Sequence, residues 1–341
     1  MRLPEPRGPL GAALLDVLLA PPHAADLTGC AADAVAATGD PLLDDDVQLS
    51  LTLLYELHYR GLDGVDDAWE WSPALLAVRD VLERAVRSEL LRRFGATEDV
   101  EPAEVPAALF EMTASSGGPS VAGYVAREAS LEQLREMCAL RSVYQLVEAD
   151  PHTWVIPRLR GRTKSALVEI QFDEYGEGRP GRTHAELFAA TMRAVGLDDA
   201  PGAYLDHATA LTLASVNAMH LFGLHRRHRA AALGHLAAYE MTSSLPCKRY
   251  VAGVERLGLG DEAREFFAEH VEADAVHEQL AAYDLCGALV TAEPHLARDV
   301  LFGAAVCLGL DELAGQATLE AWERGRSALR RPLTVLAATG S

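Results

Sequence analysis

Along most of this chain apolar residues recur every three or four positions, the period of a helix that buries one face and wets the other. The pattern predicts helices over residues 11–19, 41–59 and 72–93, separated by Pro21-Pro22, by Gly61-Leu62-Asp63-Gly64 and by Asp66-Asp67. Residues 129–148 read as one long helix ended at Asp150-Pro151, because a proline disfavours helical backbone in the residue before it. Further helices are predicted over 184–195 and 203–224. Another opens at the basic cluster His225-Arg226-Arg227-His228-Arg229 and runs to Glu240, with Thr242-Ser243-Ser244 and Pro246 marking its end. A periodic run over 266–278 and closing helices over 296–308 and 311–331 complete the series, and the tail beyond Pro332 is expected to be loosely held.

One stretch departs from the helical period. Residues 165–175 alternate Val168, Ile170 and Phe172 and lead into Gly176-Glu177-Gly178-Arg179-Pro180-Gly181, which formally matches the dinucleotide fingerprint G-x-G-x-x-G. That fingerprint needs a parallel strand inside a βαβ unit, and no second strand is predicted; Glu177 would also meet a pyrophosphate with the wrong charge. The glycines are expected instead to break or bend a helix between Glu174 and His184. With strands absent, the expected fold class is all-α. Two turn-forming clusters, residues 97–102 and 115–120, place a boundary between an N-terminal helical region with its linker, 1–120, and a second domain, 121–341.

Composition adds limits on function. The 341 residues, 49% of them hydrophobic, can supply a large core. A formal net charge of −20 argues against a nucleic-acid partner or an anionic membrane surface. The five cysteines, Cys30, Cys138, Cys247, Cys286 and Cys307, stand singly, so neither a disulfide framework nor a thiolate zinc site is indicated. Arg2 and Arg7 precede an apolar stretch over 9–20, but Asp16 interrupts it as an amphipathic helix would, and no run approaches the ~18 to 20 apolar residues of a membrane span. A cytoplasmic protein is expected.

The candidate chemistry lies in the run over 266–278. His270, Asp274 and His277 recur at i, i+4 and i+7, which on a helix aims two imidazoles and a carboxylate at one point, as first-row metals require. Glu269, Glu272 and Glu278 on the same helix leave a solvated acidic face as the other reading of this spacing taken alone. Glu148, Glu174, His184 and Glu240, each in a helical context, supply partners. Three glutamates, one aspartate and three histidines suit a pair of ferrous ions between helices, since carboxylates bridge two metals while imidazoles cap each one. Glu56-Leu57-His58 is no ligand pair, because i and i+2 point to different sides of a helix, and these residues are expected to tie the N-terminal helices to the rest. Around the centre, Tyr144 lies one turn before Glu148 and is either a pocket residue or an interior tyrosine with a satisfied hydroxyl. Tyr175 is a further substrate-binding candidate. Arg229, eleven residues before Glu240, either holds a substrate carboxylate or forms an ion pair. Asn217 and His220 read as satisfied polar residues of the core.

The order E…E-x9-H…E…H-x3-D-x2-H, together with the phrases EIQFDEYG and HVEADAVHE, resembles the haem-oxygenase-like diiron oxidase and oxygenase superfamily over residues 121–331. The resemblance implies a haem-oxygenase-like helical bundle with an additional N-terminal helical region. It implies two iron ions held by Glu148, Glu174, His184, Glu240, His270, Asp274 and His277, with dioxygen as co-substrate. The expected reaction is oxidation of a small molecule such as an amino acid, amine or aliphatic acid, by N-oxygenation or by oxidative C–H or C–C chemistry, in specialised metabolism. A homodimer is expected, as is an external electron donor, because nothing in the sequence encodes a flavin, nicotinamide or iron–sulfur site. Two alternatives stand beside this reading: a non-catalytic metal-binding bundle, and a true haem oxygenase or thiaminase-like relative. Haem needs one axial histidine and room for a macrocycle. The thiaminase branch needs a cysteine nucleophile, and no cysteine here stands in a recognisable catalytic setting.

Overall fold

A computed structural model describes residues 1–96, 100–114 and 120–333, and within 272–276 the backbone but not the side chains. The predicted turn residues 97–99 and 115–119, the side chain of Asp274 and the tail from 334 therefore lie outside the described residues. Among those described there is no strand, and the fold is an all-α, haem-oxygenase-like bundle.

The N-terminal part contains α1 (Pro9–Leu18), α2 (Thr28–Ala37), α3 (Asp45–Glu56) and α4 (Pro73–Phe94). Helix α2 was not predicted, because only Ala31 of its ten residues is buried and an apolar period hardly shows. The side chain of Asp44 accepts from the amides of Asp46 and Val47 and so caps α3. The buried Asp46 carboxylate in turn accepts from the amides of Leu10 and Gly11 at 2.9 and 2.7 Å, placing a negative charge where the α1 dipole is positive. After α5 (Val105–Ala114) and α6 (Val121–Arg127) come α7 (Leu131–Gln145), the short α8 (Asp150–Thr153), α9 (Gly161–Glu174), α10 (His184–Ala194) and α11 (Ala210–Leu224). Then follow α12 (Arg229–Arg256), α13 (Asp261–Gln279), a π-helical segment Leu280–Gly287, α14 (Ala288–Ala292) and α15 (Ala297–Glu323). Reciprocal capping boxes, Ser130 with Gln133 and Thr183 with Glu186, fix where α7 and α10 begin.

Two predicted ends are corrected. Helix α12 does not stop at Thr242-Ser243-Ser244 but continues through Pro246. The hydroxyls of Thr242 and Ser243 bond back to the carbonyls of Ala238 and Tyr239 at 2.7 and 3.0 Å, and the burial of Cys247, Tyr250 and Val254 beyond the proline outweighs one lost ladder bond. The two predicted closing helices are one, α15. Gly309 inside it marks the close approach of the Phe94 ring rather than a break.

A continuous apolar core joins Leu14, Leu49 and Leu82 of the N-terminal helices to Leu213, Leu233, Leu285 and Val300 of the bundle. Asn217 donates to the carbonyl and side chain of Gln48, and Nδ1 of His220 lies 2.8 Å from the Tyr59 hydroxyl, so both are satisfied between α11 and the N-terminal part. His58 lies between Glu70 and Arg79, so its bonds tie the N-terminal helices to one another rather than to the bundle. The segment Pro294–Glu323 is long and apolar enough to cross a membrane by length and composition, contrary to the sequence expectation. Its Val300, Leu301, Ala304, Val306 and Leu310 are buried in the bundle. Where α12 and α15 cross, the backbones touch: a Cβ on Gly234 would collide with the carbonyl of Val300, and one on Gly303 with that of Ala231.

At the end of α3, burial pushes the Glu56 carboxyl up to about 7, against the pull of the N-terminal ammonium and Arg60. The folded state thus holds a proton that the unfolded chain releases near the ordinary 4.5, and stability falls as pH rises from there through about 7. Glu56→Gln is expected to stabilise the protein at pH 8 by up to about 3 kcal/mol and to do nothing below pH 4.5, read by denaturant unfolding at the two pH values.

Candidate metal centre

The residues that line the centre come from the ends of α7 and α9, the start of α10, the middle of α12 and the second half of α13. Helix α7 closes at Gln145, and Ala149 takes a left-handed backbone (φ 73°), rare for a residue with a Cβ, before α8 begins. This turn carries Glu148, whose Oε1 accepts from the Gln145 amide at 3.3 Å. Arg60, from the N-terminal region, braces the turn by donating to the Leu146 carbonyl at 3.1 Å and to Asp150 at 3.4 Å. Helix α9 ends at Glu174, and the chain reverses through Gly176, Glu177 and Gly178, all at positive φ. A side chain on Gly176 would run into the Arg182 carbonyl, so the glycine-rich stretch makes the break between Glu174 and His184 that its composition predicts. The dinucleotide motif is absent from this context, since its supposed strand is the helix α9.

Six of the seven candidate ligands fall into two buried groups: Glu148, His184 and His270, and Glu174, Glu240 and His277, with donor atoms in each group within 4.8 Å of one another. The groups meet where His184 Nδ1 stands 2.9 Å from Glu174 Oε2. Within them His270 Nε2 lies 3.7 Å from Glu148 Oε1, and His277 Nδ1 lies 3.2 Å from Glu240 Oε2. The Nδ1 of His270 faces the Phe266 carbonyl at 2.8 Å, which fixes the ring so that Nε2 points to the centre. Sequence reasoning missed Asp173, whose carboxylate takes the other nitrogen of His277 at 2.8 Å. Its place beside Glu174 at a helix end was the available signal.

Glu148 Oε2, Glu174 Oε2 and His184 Nδ1 are buried without a hydrogen bond. The last two still approach to 2.9 Å as an ion pair, which leaves Glu148 Oε2 as the atom without a partner. Such atoms each cost about 1–3 kcal/mol unless something satisfies them, and a cation of N/O preference does so. The mixed carboxylate and imidazole donors fit iron. Burial pushes the Glu174 carboxyl up, but the neighbouring His184, then His270 and His277, bring it down to about 2. Burial likewise works against the proton on His277, yet Glu240 and Asp173 hold it, and the group rises to about 9. His184 is raised by Glu174 in the same way. In the metal-free protein the stability contributed by His277 is present below its ordinary 6.5 and is lost as pH rises through about 9. Iron must displace these protons, so apparent iron affinity is expected to rise about tenfold per pH unit for each proton displaced, levelling above about pH 9; competition titrations with a chelator at several pH values check this.

Between the groups lies a cavity of about 10 Å³, lined by Tyr144, Glu148, His152, Glu174, Glu240 and His270 among others. Tyr144 therefore faces the centre, its ring edge-on to Tyr239 at 5.3 Å. Tyr175 stands behind the wall: its hydroxyl donates to Asp150 and meets that of Thr153, both at 2.9 Å. Arg229 takes the ion-pair alternative. It pairs with Glu293 at the start of α12, some 16 Å along the helix from Glu240, because the acidic residue before α15 offers its guanidinium a partner there.

Residues 135–312 match a family described as iron-containing redox enzymes. The chain belongs to that family. It is an iron-dependent oxidoreductase at the level of the superfamily, and all six grouped donors lie inside the matched span. No curated protein matches the chain.

Proposed function

We propose that this member of the family is a dioxygen-activating, non-haem diiron oxidase or oxygenase acting on a small molecule such as an amino acid, amine or aliphatic acid. The observation that carries the reading is the pair of buried donor groups joined through Glu174 and His184. Glu148, His184 and His270 would hold one iron and Glu174, Glu240 and His277 the other, with Asp274 as the remaining candidate. When bound, a ferrous pair supplies the two electrons that activation of dioxygen requires. The chain's own residues orient and insulate that chemistry. Phe266 and Asp173 set the rings of His270 and His277, Gln145 steadies Glu148, and burial keeps bulk water from all six donors. The reducing equivalents would come from an external electron donor, and the protein would act as a homodimer.

The haem alternative is disfavoured because a cavity of about 10 Å³ walled by carboxylates has no room for a macrocycle. The thiaminase alternative is disfavoured because burial pushes the Cys138 thiol up to about 12 and raises Cys286 and Cys307 as well, which suppresses the thiolate. Anaerobic ferrous reconstitution tests the proposal: an iron pair per chain and dioxygen uptake by the loaded protein are expected. Zinc alone, or a single iron indifferent to His184→Ala, would overturn it.

A further inference from the structure

The wall of the cavity carries a histidine that belongs to neither donor group. His152, in α8, is 3% exposed, and neither of its ring nitrogens has a hydrogen-bond partner among the described residues. Its ring centre lies 6.4 Å from that of His235, too far for the two imidazoles to satisfy each other. It shares the cavity with Glu148, Glu174 and His270, yet it stands outside both sets of donors that converge within 4.8 Å. Its backbone is closely packed. The turn at Ala149 precedes it, and Gly223 of α11 packs so closely on the Pro151 carbonyl that a Cβ there would collide. A neutral imidazole has one N–H in either tautomer and so can always donate one hydrogen bond; burial keeps this ring neutral by lowering it to about 4.

We propose that His152 donates a hydrogen bond to a small exogenous ligand, dioxygen-like or a small anion, seated at the metal pair. The inference rests on the reading of the centre as an iron pair. The cavity limits the size of the ligand, since a space of about 10 Å³ beside the donor groups suits an occupant of a few atoms. The unpartnered nitrogens decide its chemistry. Left without a partner they weaken the fold, so two such nitrogens on a residue that lines the metal cavity indicate a role toward what binds there.

The test uses azide, titrated into the iron-loaded, oxidised full-length protein and followed by its charge-transfer absorbance. In His152→Leu, iron content should match wild type, azide affinity should fall about five- to tenfold, and the thermal midpoint of the metal-free protein should stay level or rise. His152→Gln, which restores a donor, should recover most of the affinity. Equal azide affinity in wild type and His152→Leu overturns the proposal, as does loss of iron from His152→Leu, which would make the residue a metal ligand. A wild-type protein that takes up no iron sinks the diiron reading itself, and that result is distinct because it is read before azide is added.

Discussion

Glu174→Ala is expected to strip the protein of iron while leaving its helices in place. Glu174 belongs to one donor group and touches His184 of the other, so its loss removes a carboxylate that both positions depend on. Removing a residue that merely orients a ligand typically costs 10–100-fold in metal affinity, and losing a ligand that links two positions should cost at least about 100-fold. The position ends α9 just before the glycine-rich reversal, where alanine is an adequate helix residue. Apo-protein stability should fall as well, because the variant takes from the buried His184 ring the carboxylate paired with it. The control is Glu269→Ala on α13, a half-exposed carboxylate 2.7 Å from Arg182. Its surface ion pair is worth no more than about 1 kcal/mol, and its iron content should equal that of wild type. Metal analysis of the two variants side by side, after identical anaerobic loading, reads the result. Equal iron in both would mean that the six convergent side chains do not hold the metal.

Gly303→Ala is expected to have the largest effect on the fold itself. The added methyl would sit within the Ala231 carbonyl of α12, and neither partner is a flexible side chain that could step aside. The two long helices would have to separate, with a loss of about 3 kcal/mol or more, enough to unfold a domain of ordinary stability. Gly234→Ala meets Val300 in the reciprocal way, and because the two sites form one contact their effects should not add. A partly folded survivor should also lose iron, since Glu240 lies on α12 less than two turns beyond Gly234 and a displacement of about 1 Å spoils a ligand constellation. Gly29→Ala, in α2 with open space around its Cβ, should be neutral or stabilising by up to about 1 kcal/mol. Thermal unfolding of the three variants orders them.

Much of this was legible in the residues. The helical period identified the all-α class, because an amphipathic helix writes its buried face into every third or fourth position. His270 and His277 could be placed on one side of one helix, and the glycine-rich stretch could be read as a reversal rather than a nucleotide loop, since both are consequences of local backbone geometry. Glu148, Glu174, His184 and Glu240 could be named as partners from their residue types and helical contexts, and the resemblance rested on their order.

Other features were decided only when the helices packed. The sorting of six donors into two groups, the approach of Glu174 to His184 and the use of Asp173 by His277 all depend on distances between residues remote in sequence. So do the pairing of Arg229 with Glu293 and the exposure of His152 to the metal cavity. The failed helix ends have the same origin. Serines and a proline in α12, and a glycine in α15, are local stop signals, and the burial of Tyr250, Val254 and Leu310 overrode them. Sequence by itself determined which face of each helix turns inward, because that follows from 3.6 residues per turn. Which inward-facing side chains meet was left to tertiary structure, because the crossing of two helices is set by the backbone contacts and core volumes of every residue between them.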